Sequence, residues 1–280
     1  MDLKNLLKSL ENCPCGREHT FDTKVVEIYS GLTKDTGKIL LDAGFPTNIL
    51  LVADENTLGV ANAEGLSDSL AASGFNVKKL IYKNMMYARI EQVREVELLA
   101  ADVDGIISVG TGSLNDICRV ASFEKDKKFC IFATAPSMDG FASDTAPIIE
   151  NNFKVSWFVR QPMVILADTK ILANAPTELK AAGFGDIIGK YSALNDWELA
   201  RDYSGEYFCD KIAKDVIDAT DKCLKNGYEL GKSGDGYAKG GMRGQYLYIN
   251  FDEKVVVAWH SYDPEDLNGP LHDTLHAFFG

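Results

Sequence analysis

A chain of 280 residues is long enough for two domains, each with its own core. With 46% hydrophobic and 25% charged residues it has the composition of an ordinary soluble globular protein, and a net charge of −12 argues against a nucleic-acid backbone or an anionic membrane as its main partner. Phosphate ligands stay open, because backbone N–H groups bind them without a basic surface.

In chain order, residues 1–12 read as an amphipathic helix with charges throughout, unlike a signal peptide. No run approaches the length that spans a bilayer. The six scattered cysteines of so long a chain read as reduced thiols in a cytoplasm. Cys13-Pro14-Cys15-Gly16, with His19 close by, groups soft ligands. Structural zinc usually takes four ligands with spacers of two or more residues, and no fourth is apparent. The stretch therefore reads as a proline–glycine turn between the first helix and the next strand.

Residues 48–54 are a buried strand ending in Asp54; a helix follows through Ser73, and Gly74 stops it. Residues 77–82 are a second strand. A helix over 91–101 carries Val93, Val96, Leu98 and Leu99 on its inner face. Residues 104–109 are a third strand, followed by a helix to about Phe123 and a strand over 129–134. Residues 151–159 belong to a hairpin and 163–168 to another strand. From Pro176 the pattern turns helical, over 178–202 and 206–226. Apolar strands alternating with helices predict an α/β fold with a parallel sheet covered on both faces. We expect a nucleotide-binding domain over 1–170, a partial helical domain over 171–230 and an atypical tail over 231–280.

The turn GTGSLND (110–116) closes the third strand. Gly110 and Gly112 admit backbone angles closed to other residues and let a ligand approach the main chain. The helix that follows offers N–H groups and a partial positive charge, and Ser113, Asn115 and Asp116 suit its first turn. The spacing is not G-x-G-x-x-G, and a ligand-free turn has the same letters. The next strand ends in a second polar loop, Thr134 to Ser143. In an open parallel sheet ligands bind beyond the carboxyl ends of the strands, so both loops and Asp54 share one edge. Asp54 suits either ribose hydroxyls or a helix cap.

ADENT (53–57), GTGSLND, TAPSMDGFAS (134–143) and AAGFGDIIGKYSALNDW (181–197) resemble the sn-glycerol-1-phosphate dehydrogenase family, within the superfamily of dehydroquinate synthase and metal-dependent alcohol dehydrogenases. CPCGREHT (13–20) resembles its bacterial members, and the resemblance runs over residues 1–225. It implies a site in a cleft between a nucleotide-binding and a helical domain. Gly112, Ser113, Leu114, Asn115 and Asp116 would hold the pyrophosphate of NAD(P), while Thr134, Ala135, Pro136, Ser137 and Ser143 line the same site. Asp139 would contact substrate and Asp186 would bind the divalent metal, zinc or nickel, both in catalytic roles. The implied reaction interconverts dihydroxyacetone phosphate and sn-glycerol 1-phosphate, with the metal polarising the reacting oxygen. A homodimer is compatible with it. The plainer alternatives are an ion pair of Asp186 with Lys190, worth about 0.3 kcal/mol, a turn or cap role for Ser143, and packing for Lys190 and Trp197.

The chain departs from that pattern in two ways. The family's two metal-binding histidines are not found; only His260, His272 and His276 follow Asp186. His272 and His276 would share one face of a helix. Residues 245–250 and 254–260 instead form an antiparallel hairpin, with a terminal helix from about Pro270. The stretch 236–261 is similar to the closing strands of serine β-lactamase-like enzymes, with Lys239-Gly240-Gly241 at the active-site position, which suggests a hybrid chain. A hydrolase would need Ser-x-x-Lys. Ser122 and Lys125 match those letters by chance, at the end of the helix after the glycine turn. A lone carboxylate holds zinc weakly. The expectation is therefore weak or absent metal binding and little turnover, leaving a nucleotide-binding remnant as the alternative.

Overall fold

The structure, a computed structural model, describes residues 3–85 and 87–230 and the strands Tyr237–Gly240, Tyr246–Asn250 and Val255–Trp259; side chains are described through Lys225, that of Lys4 excepted. The chain divides into two compact units. One holds residues up to Glu11, His19–Pro136 and Gly140–Pro176, the other Asn12–Glu18, Ser137–Asp139 and the chain from Thr177 onward.

In the first unit the elements run α1 (Leu3–Leu10), β1 (Val25–Tyr29), a 3-10 turn (Leu32–Asp35), α2 (Thr36–Asp42), β2 (Asn48–Asp54), α3 (Glu55–Ala63), α4 (Leu66–Ala72), β3 (Asn76–Tyr82), α5 (Ile90–Leu99), β4 (Gly105–Gly110) and α6 (Ser113–Glu124). Then follow β5 (Lys128–Ala133), a second 3-10 turn (Gly140–Ala142), the hairpin strands β6 (Thr145–Glu150) and β7 (Phe153–Phe158), β8 (Val164–Asp168) and α7 (Thr169–Ala173). Six strands pair in parallel in the order β1-β8-β5-β4-β2-β3. The central strands are apolar along most of their length because both faces are covered. Ile49, Leu51, Ile107, Val109 and Phe132 point into one core with Leu58, Leu66 and Leu70 of α3 and α4. Leu50, Val52, Ile106 and Ile131 point into the other with Val93, Val96, Ile117 and Val120 of α5 and α6.

β3 follows β2 on one side, and β4 then returns to pair with the other side of β2. The winding of the sheet therefore reverses between β2 and β4, which is where doubly wound sheets open a crevice at their carboxyl edge.

Several sequence expectations change. The helix expected from Asp54 to Ser73 is two helices, because Gly65 adopts φ +98° between them. Leu98, expected on the inner face of α5, is 76% exposed; the core side of that helix is Val93 and Val96. The edge strand β1 was not expected at all. The hairpin is formed by β6 and β7, joined through Asn151 and Asn152 at φ +51° and +64°.

The second unit contains α8 (Thr177–Ile188), α9 (Lys190–Ser204), α10 (Asp210–Leu230) and the antiparallel strands β9 (Tyr237–Gly240), β10 (Tyr246–Asn250) and β11 (Val255–Trp259), ordered β11-β10-β9. The tail hairpin is thus present, with one further strand. The expected terminal helix, with His260, His272 and His276, lies outside the described residues. Residues 13–16 form the expected turn, with the Gly16 amide donating to the Cys13 carbonyl and Gly16 at φ +76°. The missing fourth soft side chain is nonetheless present: Cys209 Sγ lies 3.6 Å from Cys13 Sγ. No described helix is long and apolar enough to cross a membrane.

Gly37, in α2, donates its amide to Ser69 Oγ of α4 at 3.0 Å, and a Cβ at Gly37 would overlap the Ser69 carbonyl oxygen. Gly37→Ala is expected to lose about 1–3 kcal/mol in urea unfolding, since backbone must move to admit the methyl. Gly59 in α3 is exposed with open space at its Cβ position, so Gly59→Ala is expected to gain about 0.5–1 kcal/mol. Equal effects of the two changes would contradict this packing.

Candidate functional site

Three helices begin directly at the carboxyl ends of strands β2, β4 and β8, and their starts differ. After β2, Asp54 accepts the Thr57 amide at 2.8 Å while Thr57 Oγ1 accepts the Asp54 amide, a reciprocal cap on α3. After β8, Asp168 caps α7 through the Lys170 amide and also accepts from the Gly31 amide, the Thr33 amide and Thr33 Oγ1 at 2.7–3.0 Å. Burial alone would raise the pKa of Asp168. The hydrogen bonds from Thr33, Gly31 and Lys170 outweigh it and hold the carboxyl below its ordinary value. After β4, α6 opens from Gly112, which provides no side-chain cap.

That uncapped start has features that suit an anion. Gly112 has φ +48° and ψ −116°, angles that favour glycine. A Cβ at Gly110 would collide with the Leu114 side chain, so the turn lies tight against the helix. Asn115, fully buried, accepts from Ser108 Oγ at 2.8 Å, tying the first turn of α6 to the strand beneath it. Its Nδ2 has no hydrogen-bond partner. An unpaired buried donor, a helix N-terminus without a cap and a chain stripped of side chains at Gly110 and Gly112 together fit a dinucleotide pyrophosphate.

The other expected cofactor residues take definite places. Leu114 is buried against the sheet and offers only its backbone to a ligand. Thr134 and Ala135 are buried just past β5, with Pro136 and Ser137 half-buried beyond them. Ser143 Oγ accepts the Thr145 amide at 3.0 Å and its own amide bonds the Gly140 carbonyl, so it holds a turn. Asp116, in the first turn of α6, is largely buried. Desolvation pushes its pKa up to about 6, against a smaller downward pull from the Arg119 guanidinium 3.7 Å away.

Arg119 is the residue that sequence reasoning missed. It is 1% exposed, yet its guanidinium donates to the carbonyls of Thr145, Gly140 and Phe141 at 2.8–3.0 Å, fixing the polar loop after β5. The available signal was a single arginine inside an otherwise apolar helical stretch, 117–121.

In the second unit Asp186 Oδ2 accepts the Asp139 amide at 3.0 Å, and the Asp139 carboxylate forms an ion pair with Lys190. Asp139, Asp186 and Lys190 are thus brought together, but Lys190 pairs with Asp139, not with Asp186 as its spacing suggested. Asp186 lies near the end of α8, not at the start of a long helix; Gly189 separates α8 from α9. Gly183 and Gly185 are buried within α8 and do not loosen it. Trp197 packs, donating Nε1 to the Tyr207 carbonyl and lying against Phe208. Among the described residues Asp186 belongs to no group of three or more metal-ligating side chains. The residues described around it do not complete a catalytic metal site, which takes three protein ligands.

Comparison with known proteins gives a consistent result. The model of the iron-containing alcohol dehydrogenase family matches residues 27–176. A glycerol-1-phosphate dehydrogenase (NAD(P)+) of Halalkalibacterium halodurans is 30% identical over 234 residues, covering 81% of this chain and 58% of the relative. The enzyme of that name in Bacillus subtilis is 36% identical over 217 residues, covering 75% of this chain and 54% of the relative. The chain spans about half the length of the curated relatives it matches. In solved structures, a probable glycerol dehydrogenase from Sinorhizobium meliloti 1021 superposes with a TM-score of 0.61 at 16% identity, covering 74% of this chain and 57% of that one. Glycerol dehydrogenase from Schizosaccharomyces pombe gives 0.56 at 20% identity, covering 63% and 45%. These likenesses bear out the α/β fold.

Two measurements check the electrostatics under the turn. Arg119→Leu removes the guanidinium from three carbonyls, of which Gly140 keeps the Ser143 amide, and leaves Asp116 without its counter-charge; we expect a loss of about 3–5 kcal/mol in urea unfolding. Because the folded pKa of Asp116 stands above its ordinary value, its contribution to stability is present below about pH 4 and is lost as pH rises through about 6. Asp116→Asn mimics the protonated form. It should match the wild type near pH 4 and exceed it at pH 8 by up to about 3 kcal/mol; a constant difference across that range would contradict the burial of this carboxylate.

Proposed function

Since the chain belongs to the iron-containing alcohol dehydrogenase family, we propose that it binds NAD(P) at the turn after β4 and serves the interconversion of dihydroxyacetone phosphate and sn-glycerol 1-phosphate. The observation that carries this reading is the uncapped start of α6 at the point where the sheet reverses its winding. The substrate is taken from the curated relatives, whose name is glycerol-1-phosphate dehydrogenase (NAD(P)+).

In this reading the amides from Gly112 to Asp116 receive the pyrophosphate, and Asn115 Nδ2 gains the acceptor it lacks. A dianionic ligand there is repelled by ionised Asp116, so binding is expected to strengthen as pH falls through about 6. Thr134 to Ser137 and Ser143 line the nicotinamide side. The Asp54 carboxylate, already a cap through Oδ1, reaches the ribose hydroxyls with Oδ2. Asp139 contacts the phosphorylated substrate together with Lys190, whose positive charge suits the phosphate. Asp186, oriented by the Asp139 amide, provides one carboxylate ligand to a divalent ion, zinc or nickel. Such an ion would supply a Lewis acid for the reacting oxygen, although the residues described around Asp186 do not by themselves complete its site. A homodimer in the cytoplasm belongs to the same proposal; no disulfide joins the described cysteines.

A second reading is favoured by one observation. Asp186 belongs to no group of three or more metal-ligating side chains among the described residues, so the chain is equally suited to binding nucleotide without turning it over. A serine hydrolase is not supported: Ser122 is buried and donates its Oγ to the Arg119 carbonyl at 2.9 Å.

Titration of NADH and NADPH fluorescence tests the nucleotide site. Saturable binding is expected, weakened at least about tenfold by Gly112→Val, which closes a backbone angle and covers the amides. No binding by the wild type would overturn both readings. Oxidation of NADH that depends on dihydroxyacetone phosphate and is lost in EDTA and in Asp186→Ala supports catalysis; binding without such oxidation supports the second reading.

A further inference from the structure

Three side chains of the second unit, Cys13, Cys15 and Cys209, come together with His19, which directly follows that unit's N-terminal segment. The four ligand atoms all lie within 4.8 Å of one another, and Cys209 is fully buried. Cys13 and Cys209 are 196 positions apart in sequence, yet their sulfurs stand 3.6 Å apart. A disulfide holds its sulfurs at about 2.05 Å. A tetrahedral ion with ligands at about 2.3 Å spaces them at about 3.8 Å. The observed separation fits the second arrangement.

We propose that Cys13, Cys15, His19 and Cys209 hold one zinc ion in a closed structural site. Three thiolates and an imidazole are soft donors, which select zinc over magnesium or calcium. Four protein ligands leave no open position for substrate or water, so the site is structural, not catalytic. Backbone geometry presents the ligands. Gly16 at φ +76° reverses the chain after Cys15 and brings His19 back toward the cysteines. Cys209 precedes α10 and its carbonyl accepts the Ala213 amide at 2.9 Å, so a helix start fixes its position.

The surroundings match the charge such a site would carry. Zinc with three thiolates and a neutral imidazole has a net charge of −1. Tyr207 donates its hydroxyl to Cys15 Sγ at 3.2 Å, and the Arg17 guanidinium lies 3.9 Å over the Tyr207 ring. One hydrogen bond to a thiolate and one cation beside it are the outer contacts that orient and stabilise a metal-bound sulfur. The ion would fasten the turn over residues 13–19 to the start of α10. The proposal does not depend on the assigned reaction, because none of its ligands belongs to the nucleotide turn or to the Asp139, Asp186 and Lys190 group.

Cobalt(II) substitution of the full chain tests it. The wild type, prepared free of metal under reducing conditions and titrated with Co2+, is expected to show intense visible bands of tetrahedral cobalt and a near-ultraviolet thiolate charge-transfer band. Both should saturate at one ion per chain and be displaced by zinc. Cys209→Ser and His19→Ala should weaken cobalt binding at least tenfold, while Cys223→Ser and Asp186→Ala leave it unchanged. A wild type without a thiolate band, a band lost in Asp186→Ala, or a Cys13–Cys209 disulfide found by mass spectrometry of protein purified without reductant would overturn the site. The wild-type spectrum decides the matter even if a cysteine variant fails to fold.

Discussion

The inner strands of a parallel sheet pair their backbone groups on both sides, so along them only the strand ends leave polar groups to be satisfied. At the carboxyl edge of this sheet the protein satisfies nearly all of them from within. Asp54 and Thr57 cap each other, and Asp168 gathers donors from Gly31, Thr33 and Lys170. The start of α6 is the exception, with glycine where a cap would stand. A glycine at the capping position of a helix start is the feature on which the proposed anion site rests.

Charge beneath that turn is arranged at some cost to stability. Arg119 and Asp116 are both largely removed from water, and desolvation disfavours the charged form of each. Arg119 offsets its own cost through three carbonyl acceptors, which is why a guanidinium and not an ammonium suits the position: its planar fork reaches Thr145 and the Gly140–Phe141 turn at once. Asp116 has a weaker offset, one cation at 3.7 Å, so its proton is held more tightly than usual. Its carboxyl group therefore takes up a proton at a higher pH than an exposed aspartate would, as pH falls through about 6.

Much of this was legible in the sequence, and the misses share a cause. The runs that became β2, β4, β5 and β8 are nearly continuous stretches of apolar residues, a signal that needs no partner to be read. The glycine turn and the tail hairpin are equally local. β1 was missed because VVEIY is short, carries Glu27 at its centre, and owes its place to pairing with β8, well over a hundred residues away. Leu98 was misplaced because a helix with a narrow buried face has room for one stray leucine. Arg119 looked like an ordinary helix residue; only the fold brings three carbonyls to it. Cys209 gave no signal beside CPCG because nothing in the spacing of a sequence links positions so far apart.

The two candidate metal positions have opposite chemistry, and this bears on how metal content should be interpreted. Asp186 offers a single hard carboxylate, oriented by a backbone amide, whereas the cluster around Cys13 offers four donors, three of them soft thiolates, and no vacant position. Affinity rises steeply with ligand number, so a purified chain holding one equivalent of zinc would hold it at the cysteines. Such zinc could not polarise a substrate oxygen, since a coordination sphere filled by protein has no place for one. Metal analysis alone would therefore describe an inactive preparation as fully loaded. A spectroscopic probe that tells sulfur from oxygen ligands separates an ion held at the cysteines from one held at Asp186.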